Sequence, residues 1–294
     1  MDLKRLQTFL RVAETGSLSA ASDRMRIAQP ALSRQIRLLE EEIGQVLFLR
    51  SREGMALTPA GALLQTRISG LLRQLDQGID EVRSLRDAPR GRVAVGLVPS
   101  AAAVMGADLA LSVRAAHPGI RLSLQQGYTS HLTDWLHRGE IDMALLYGGA
   151  GRLPAEELLR EELVLVAPRG HPVLGGPADF AALAGAAMVL PGAENGLRLI
   201  VDQAAERAGI TLDVLAEASA FQLLLELVTA GTGLSILPRS ALPGSAAAGR
   251  LDWTGFVPPL HRDIHLVMAP AARQGRAARA VVPLLRQAAL SALG

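Results

Sequence analysis

Between Ser17 and Gly44 the hydrogen-bonding side chains fall at helical intervals. Gln29, Ser33, Arg34 and Arg37 share one side of a predicted helix, since residues three, four and seven to eight apart lie together on a 3.6-residue turn. Leu32, Ile36, Leu39 and Ile43 take the other side, at steps of four, three and four. Such a surface can read base edges. A Gln amide matches adenine bidentately, an Arg guanidinium matches guanine, and a Ser hydroxyl serves a base or a phosphate. These groups stand in the N-terminal half of the helix, the part that enters a major groove. Pro30 in the first turn loses no bond by lacking N–H and stiffens the entry. Arg50 and Arg52 flank the turn Arg52-Glu53-Gly54, from which a basic tip can reach the phosphate backbone or the minor groove. The run Glu40-Glu41-Glu42 would repel phosphate, so it must point away from nucleic acid or into solvent.

A second set suits a small ligand. Ser100 follows an apolar strand at 93–98 and opens a helix with the small residue Ala101. Thr129 and Ser130 open another helix after a strand at 120–124, and Tyr147 ends a third strand. Arg198 and Phe221 lie near later helix starts. Ligands of parallel sheets bind beyond the carboxyl ends of strands, and a hydroxyl with free N–H groups at a helix start suits an anion. Simple N-capping accounts equally well for Ser100, Thr129 and Ser130. For Arg198 a surface charge or an ion pair between lobes is the stronger reading, and for Tyr147 and Phe221 a place in the core.

Catalytic patterns are absent from the sequence. With no Cys there is no thiolate metal site and no cysteine nucleophile. The six histidines form no HExxH or other metal spacing. No P-loop occurs, and Gly231-Thr232-Gly233 lacks a third glycine and precedes a strand. No catalytic residue, metal or cofactor is expected.

The elements that must position these residues follow from periodicity. Helices are predicted at 2–14, with Leu3, Leu6, Phe9, Leu10 and Ala13 inward, at 17–25 with Ser17 as cap, and at 29–43, ended by Gly44. A hairpin pairs 46–50 with 55–57. A long helix at 59–85 places Leu64, Ile68, Leu71, Leu75, Gly78, Val82 and Leu85 on alternating steps of four and three, the seam of a coiled coil. A helix packed on its own domain remains the alternative, but the length and the polar remaining faces favour a homodimer seam. The stretch 87–91 is a linker.

After Gly91 short apolar strands alternate with helices. Strands are predicted at 93–98, 120–124, 141–147, 163–167, 188–190, 214–218, 235–237 and 265–269, and the last helix at 271–293. Such alternation implies parallel sheets covered on both faces, and its two sets imply two lobes with a cleft. The apolar stretch 93–113 is broken by Pro99-Ser100, Gly106 and Asp108, and reads as strand, turn and helix rather than a membrane span.

Composition agrees. A chain of 294 residues with 49% apolar side chains suggests two or three domains and excludes global disorder. Net charge is only +2, which by itself does not suggest a nucleic-acid binder. Residues 1–90 hold 14 basic and 11 acidic side chains, net +3, and the remainder 16 and 17, net −1. Placement of the arginines, not their sum, carries the reading. Lys4, Arg5, Arg11 and Glu14 leave no apolar signal core, and the lack of Cys fits a cytoplasmic location.

The order of residues now matters as a whole. Leu6, Phe9, Val12-Ala13-Glu14-Thr15-Gly16-Ser17, Ala20-Ala21, Gln29-Pro30-Ala31-Leu32-Ser33-Arg34-Gln35-Ile36, Leu39-Glu40, Ile43-Gly44, Leu47-Phe48, Leu57-Thr58 and Ala60-Gly61 together resemble the winged helix-turn-helix of the LysR-type transcriptional regulators. His117-Pro118-Gly119, Gly139-Glu140-Ile141-Asp142, His171-Pro172 and Val228-Thr229-Ala230-Gly231-Thr232-Gly233-Leu234 are similar to that family's effector-domain landmarks, so the resemblance spans nearly the whole chain. Two departures stand out: Ala28 occupies a position where the family often has Ser or Thr, and Glu53 one where a wing arginine is usual. Residues 46–61 and 91–147 look most like the branch that regulates nitrogen and sulfur assimilation.

The resemblance implies an α/β chain in three parts. These are a winged helix-turn-helix at 1–58, a linker and dimerisation helix at 59–90, and an effector-binding domain at 91–294. That domain resembles periplasmic solute-binding proteins, with lobe I at 91–161 and 266–294 and lobe II at 162–265. Its expected partners are double-stranded promoter DNA with interrupted inverted symmetry, a small effector of anionic character, further copies up to a homotetramer, and RNA polymerase. No membrane is expected. The alternatives are a solute-binding protein or enzyme with a helical N-terminal appendage, and a purely architectural protein.

Overall fold

Two side chains start the chain's first helices. Asp2 accepts from the N–H of Lys4 and caps α1 (Leu3–Thr15), and Ser17 accepts from that of Ala20 and caps α2 (Leu18–Met25). A computed structural model describes residues 2–51, 54–83, 88–148, 151, 153–244, 247–270 and 274–294. Two compact units are present, Met1–Ile79 with Arg138–Glu140, and Asp80–His137 with Ile141–Gly294.

In the first unit the turn after α2 puts Arg26 in the left-handed region (φ 53°), and the Ser22 hydroxyl donates to the Ile27 carbonyl at 2.7 Å. Helix α3 (Gln29–Ile43) follows. Ala28 gives it no side-chain cap, as the missing hydroxyl leads one to expect, and Gly44 ends it at φ 74°. Strands β1 (Phe48–Ser51) and β2 (Gly54–Leu57) form the antiparallel hairpin, and α4 (Pro59–Arg83) is the long helix.

The core of this unit gathers Leu6, Phe9, Val12, Leu32, Ile36, Leu39, Leu47 and Phe48, each worth roughly 1.5–3 kcal/mol when fully buried. Two inward assignments need correction. Leu3 and Ile43, in the end turns of their helices, are exposed, and Val12 takes a core position in α1. The seam also divides. Ile68 is buried and Leu64 half-buried in this unit's own core, together with Leu72, whereas Leu71, Leu75, Ile79 and Val82 are exposed. Leu64 and Ile68 are therefore not free for a partner helix. Leu85 lies outside the described residues.

The second unit continues with β3 (Gly91–Leu97), α5 (Pro99–Ala116), β4 (Ile120–Gln126), α6 (Thr129–Arg138), β5 (Met143–Tyr147) and β6 (Ala155–Pro168). Then come β7 (Ala187–Leu190), α7 (Gly196–Arg207), β8 (Asp213–Glu217), α8 (Phe221–Thr229), β9 (Ser235–Pro238), β10 (Leu251–Met268) and α9 (Arg276–Leu293). Six strands form one sheet in the order β4-β3-β5-β10-β6-β9, and β7 and β8 form a parallel pair. The sheet is mixed, not parallel throughout. β3 runs parallel to β4 and β5, but β10 runs antiparallel to both β5 and β6, and β9 antiparallel to β6.

The difference arises in β6 and β10, of 14 and 18 residues, of which only the apolar ends at 163–167 and 265–269 are legible as strands. The rest of β6 is rich in charge, and the rest of β10 carries Gly255, Pro258 and Pro259, which read as turn residues. One core draws on 93–153 and 264–293, a second on 163–260, and the two long strands pass through both.

Candidate functional site

The exposed side of α3 carries Gln29, Pro30, Arg34 and Arg37, with Ser33 half-buried beside them. The structure brings Arg50 to the same surface: its Nη2 lies 3.4 Å from Ser33 Oγ, at the long limit of a hydrogen bond. Arg52 lies outside the described residues. Each acid of the run has a partner. Glu40 Oε1 accepts from the backbone N–H of Leu47 at 2.8 Å and of Phe48 at 3.3 Å, Glu41 pairs with Arg37 at 3.5 Å, and Glu42 with Arg5 at 3.0 Å. The Thr8 hydroxyl, fully buried, donates to Gln35 Oε1 and ties α1 to α3. Glu40 thus fixes the start of the hairpin relative to the polar helix face. Its signal in sequence was its place at the inner edge of α3, one residue beyond Leu39.

In the second unit, Ser100 sits in the first turn of α5 but does not cap it. Its Oγ lies 2.6 Å from the Tyr147 hydroxyl and accepts from Arg262 Nη2 at 2.9 Å. Arg262 stands opposite Glu161 in the β10–β6 register, and Nε and Nη2 reach Glu161 Oε2 at 2.6 and 2.5 Å. Ser240 donates to the other Glu161 oxygen, and the guanidinium lies 3.9 Å from the centre of the Tyr147 ring. Arg262 and Glu161 are each 2% exposed. Burial pushes the Tyr147 hydroxyl up to about 12; the Arg262 charge works against that rise and the Glu161 charge adds to it.

These groups end at a cleft whose empty space, counted out to open solvent, is about 330 Å³. Phe221, Leu197, Leu224 and Leu237 line it, with Asn195 and Ser219 as polar members. Of the expected contacts, Ser100, Tyr147 and Phe221 reach this cleft. Ala101 is buried in the core drawn from 93–153 and 264–293, and Ser130 is exposed, neither among the lining residues. Thr129 Oγ1 donates to the Tyr147 carbonyl at 3.4 Å. Arg198 is engaged by Asp202 at 2.8 Å, Glu217 at 2.7 Å and the Pro191 carbonyl at 3.1 Å. Burial opposes its charge, and the bonds to Asp202 and Glu217 more than offset this.

Sequence reasoning missed Arg262 and Glu161. Their signal was parity: Arg262 alternates with buried Leu260 and Ile264, and Glu161 with Leu163. Among the described residues no cluster could hold a metal ion, and no helix is long and apolar enough to cross a membrane.

Comparison with known proteins decides the lineage. Residues 3–62 match the family described as bacterial regulatory helix-turn-helix protein, lysR family, and residues 86–290 match the LysR substrate binding domain. The chain belongs to the LysR family. As a LysR-type protein it is a DNA-binding transcriptional regulator with an effector-binding domain, not an enzyme.

Among its relatives is the nitrogen assimilation regulatory protein nac of Klebsiella aerogenes, 31% identical over 97% of this chain and 94% of that one. The nac of Escherichia coli (strain K12) is 33% identical over 82% and 79%. These relatives support the likeness to the nitrogen-assimilation branch. The fold is shared with CbnR, described as a LysR family transcriptional regulator, at a TM-score of 0.74 and 20% identity over 98% of this chain and 99% of that one. A structure of full-length CbnR with its target DNA gives 0.72 at 21% identity, over 98% and 100%.

Proposed function

We propose that Gln29, Ser33, Arg34 and Arg37 of this LysR-type regulator read base edges in a major groove, that Pro30 stiffens the helix entry, and that Arg50 and Arg52 hold the flanking backbone. The observation that carries this reading is the sorting of charge on α3: Gln29, Arg34 and Arg37 are exposed, while Glu40 and Glu42 are drawn to protein partners. Arg37 shares its charge with Glu41 only through an exposed pair, which is weak and can yield to a phosphate or a guanine.

Two copies join along Leu71, Leu75, Ile79 and Val82 of α4, and pairs assemble into tetramers on promoter DNA in the cytoplasm, where RNA polymerase is the further partner. The effector binds in the cleft at Ser100, Tyr147 and Phe221. It acts by differential affinity for two lobe arrangements, which changes the placement of the paired DNA-binding units.

The test is a salt titration of binding to a promoter fragment. Arg34→Ala is expected to lose about 1–3 kcal/mol of specific affinity at constant fold, while binding of the unaltered chain falls steeply with salt. Equal, salt-insensitive binding by both proteins would overturn the assignment.

A further inference from the structure

The effector cleft holds a buried cation that is already neutralised. Arg262 gives Nε and Nη2 to Glu161 and shares Nη2 with Ser100, and Glu161 is as deeply buried as its partner. Glu161 and Ser100 take Nε and Nη2, so a ligand carboxylate would find only the outer Nη1 edge of a guanidinium whose charge Glu161 already balances. It would also approach a charge of its own sign. The hydroxyls point to the opposite kind of ligand. Ser100 Oγ and Tyr147 Oη bond each other, so one O–H of the pair is spent and one remains to donate. The other walls are mostly apolar, with Leu197, Phe221, Leu224 and Leu237 beside the uncharged polar Asn195 and Ser219.

We infer that the cleft takes an uncharged, largely apolar ligand bearing a carbonyl-type acceptor, and that Glu161 is the specificity-determining residue that excludes anions. This rests on the proposed placement of the effector in the cleft, and it replaces the anion suggested by the helix N-termini. The Ser100–Tyr147 pair donates its remaining proton to the acceptor, and the ligand body packs on the leucines and Phe221.

The experiment is ligand-observed NMR and thermal melting of the full-length protein with matched pairs: benzamide and benzoate, phenylacetamide and phenylacetate, cinnamamide and cinnamate. The amides are expected to bind, raising the melting temperature by about 3–6 °C at tenfold excess over Kd, with the acids at least tenfold weaker. Glu161→Gln is expected to reverse the order, because Arg262 then stands uncompensated. Acids binding the unaltered protein as well as or better than the amides would overturn the inference, whether or not Glu161→Gln folds. Ser219→Trp, which fills the mouth of the cleft, separates the two levels. Binding that survives it, or no binding by any pair, contradicts the placement of the effector in the cleft and the inference with it.

Discussion

Glu40 Oε1 accepts from the backbone N–H of Leu47 at 2.8 Å, joining the end of α3 to the start of the hairpin. The same oxygen takes the N–H of Phe48, so one carboxylate satisfies two backbone donors that the turn leaves without strand partners. Glu40→Ala is expected to destabilise the DNA-binding unit by about 1–3 kcal/mol, since two partly buried donors lose a charged acceptor. Affinity for DNA should fall as well, although Glu40 touches no base. Thermal melting and a DNA titration check both, and an unchanged melting temperature would show the contact to be idle.

The division of the α4 seam gives opposite outcomes for neighbouring leucine-type residues. Leu71→Glu and Val82→Glu are expected to leave the chain folded and abolish its dimer in sedimentation, because both side chains are exposed within one copy. Ile68→Glu should instead unfold the DNA-binding unit, since it would bury an unpaired charge. A dimer that survives both surface changes would remove α4 as the association surface.

The first unit was largely legible in the sequence because its determinants are local. Leu32, Ile36 and Leu39 declare the inner face of α3, and Ser17 and Gly44 mark helix ends, within a few residues of what they control. The seam could not be assigned in the same way. A heptad shows that Leu64, Ile68, Leu71 and Leu75 need cover, but not whether the cover is the chain's own core or another copy. Strand ends made Ser100 and Tyr147 candidates for the cleft, against capping for Ser100 and the stronger reading of core for Tyr147, yet their partner Arg262 is 162 positions from Ser100, and the pairing of Arg262 with Glu161 spans 101. Only the β6–β10 register brings that pair together. The charged first half of β6 hid the strand itself, because an apolar run was the criterion.

Breaking the buried pair at one end should be costly. Arg262→Ala leaves Glu161 buried without its cation, and a loss of about 3–5 kcal/mol is expected. Replacing both residues by methionine should recover most of it, because the need to solvate either charge disappears. Chemical denaturation of the two variants measures the difference. A single variant as stable as the unaltered chain would contradict the placement of the pair.

Tyr147 gives a pH dependence of known sign. Its folded-state value, about 12, lies above the ordinary 10, so the unfolded chain loses this proton first as pH rises. The stabilisation is complete below pH 10 and lost between pH 10 and 12. Tyr147→Phe should flatten that part of the stability profile and cost about 1 kcal/mol at neutral pH through the lost bond to Ser100. An alkaline profile identical in the two proteins would contradict the buried position of the hydroxyl.

The most direct test of the regulator's DNA-reading surface is to sequence the genomic fragments retained by the full-length protein and by Arg34→Ala. The unaltered chain should enrich a recurring site with interrupted inverted symmetry, and Arg34→Ala should lose that enrichment while keeping its fold. No recurring site, or the same site at undiminished enrichment with Arg34→Ala, would contradict the account.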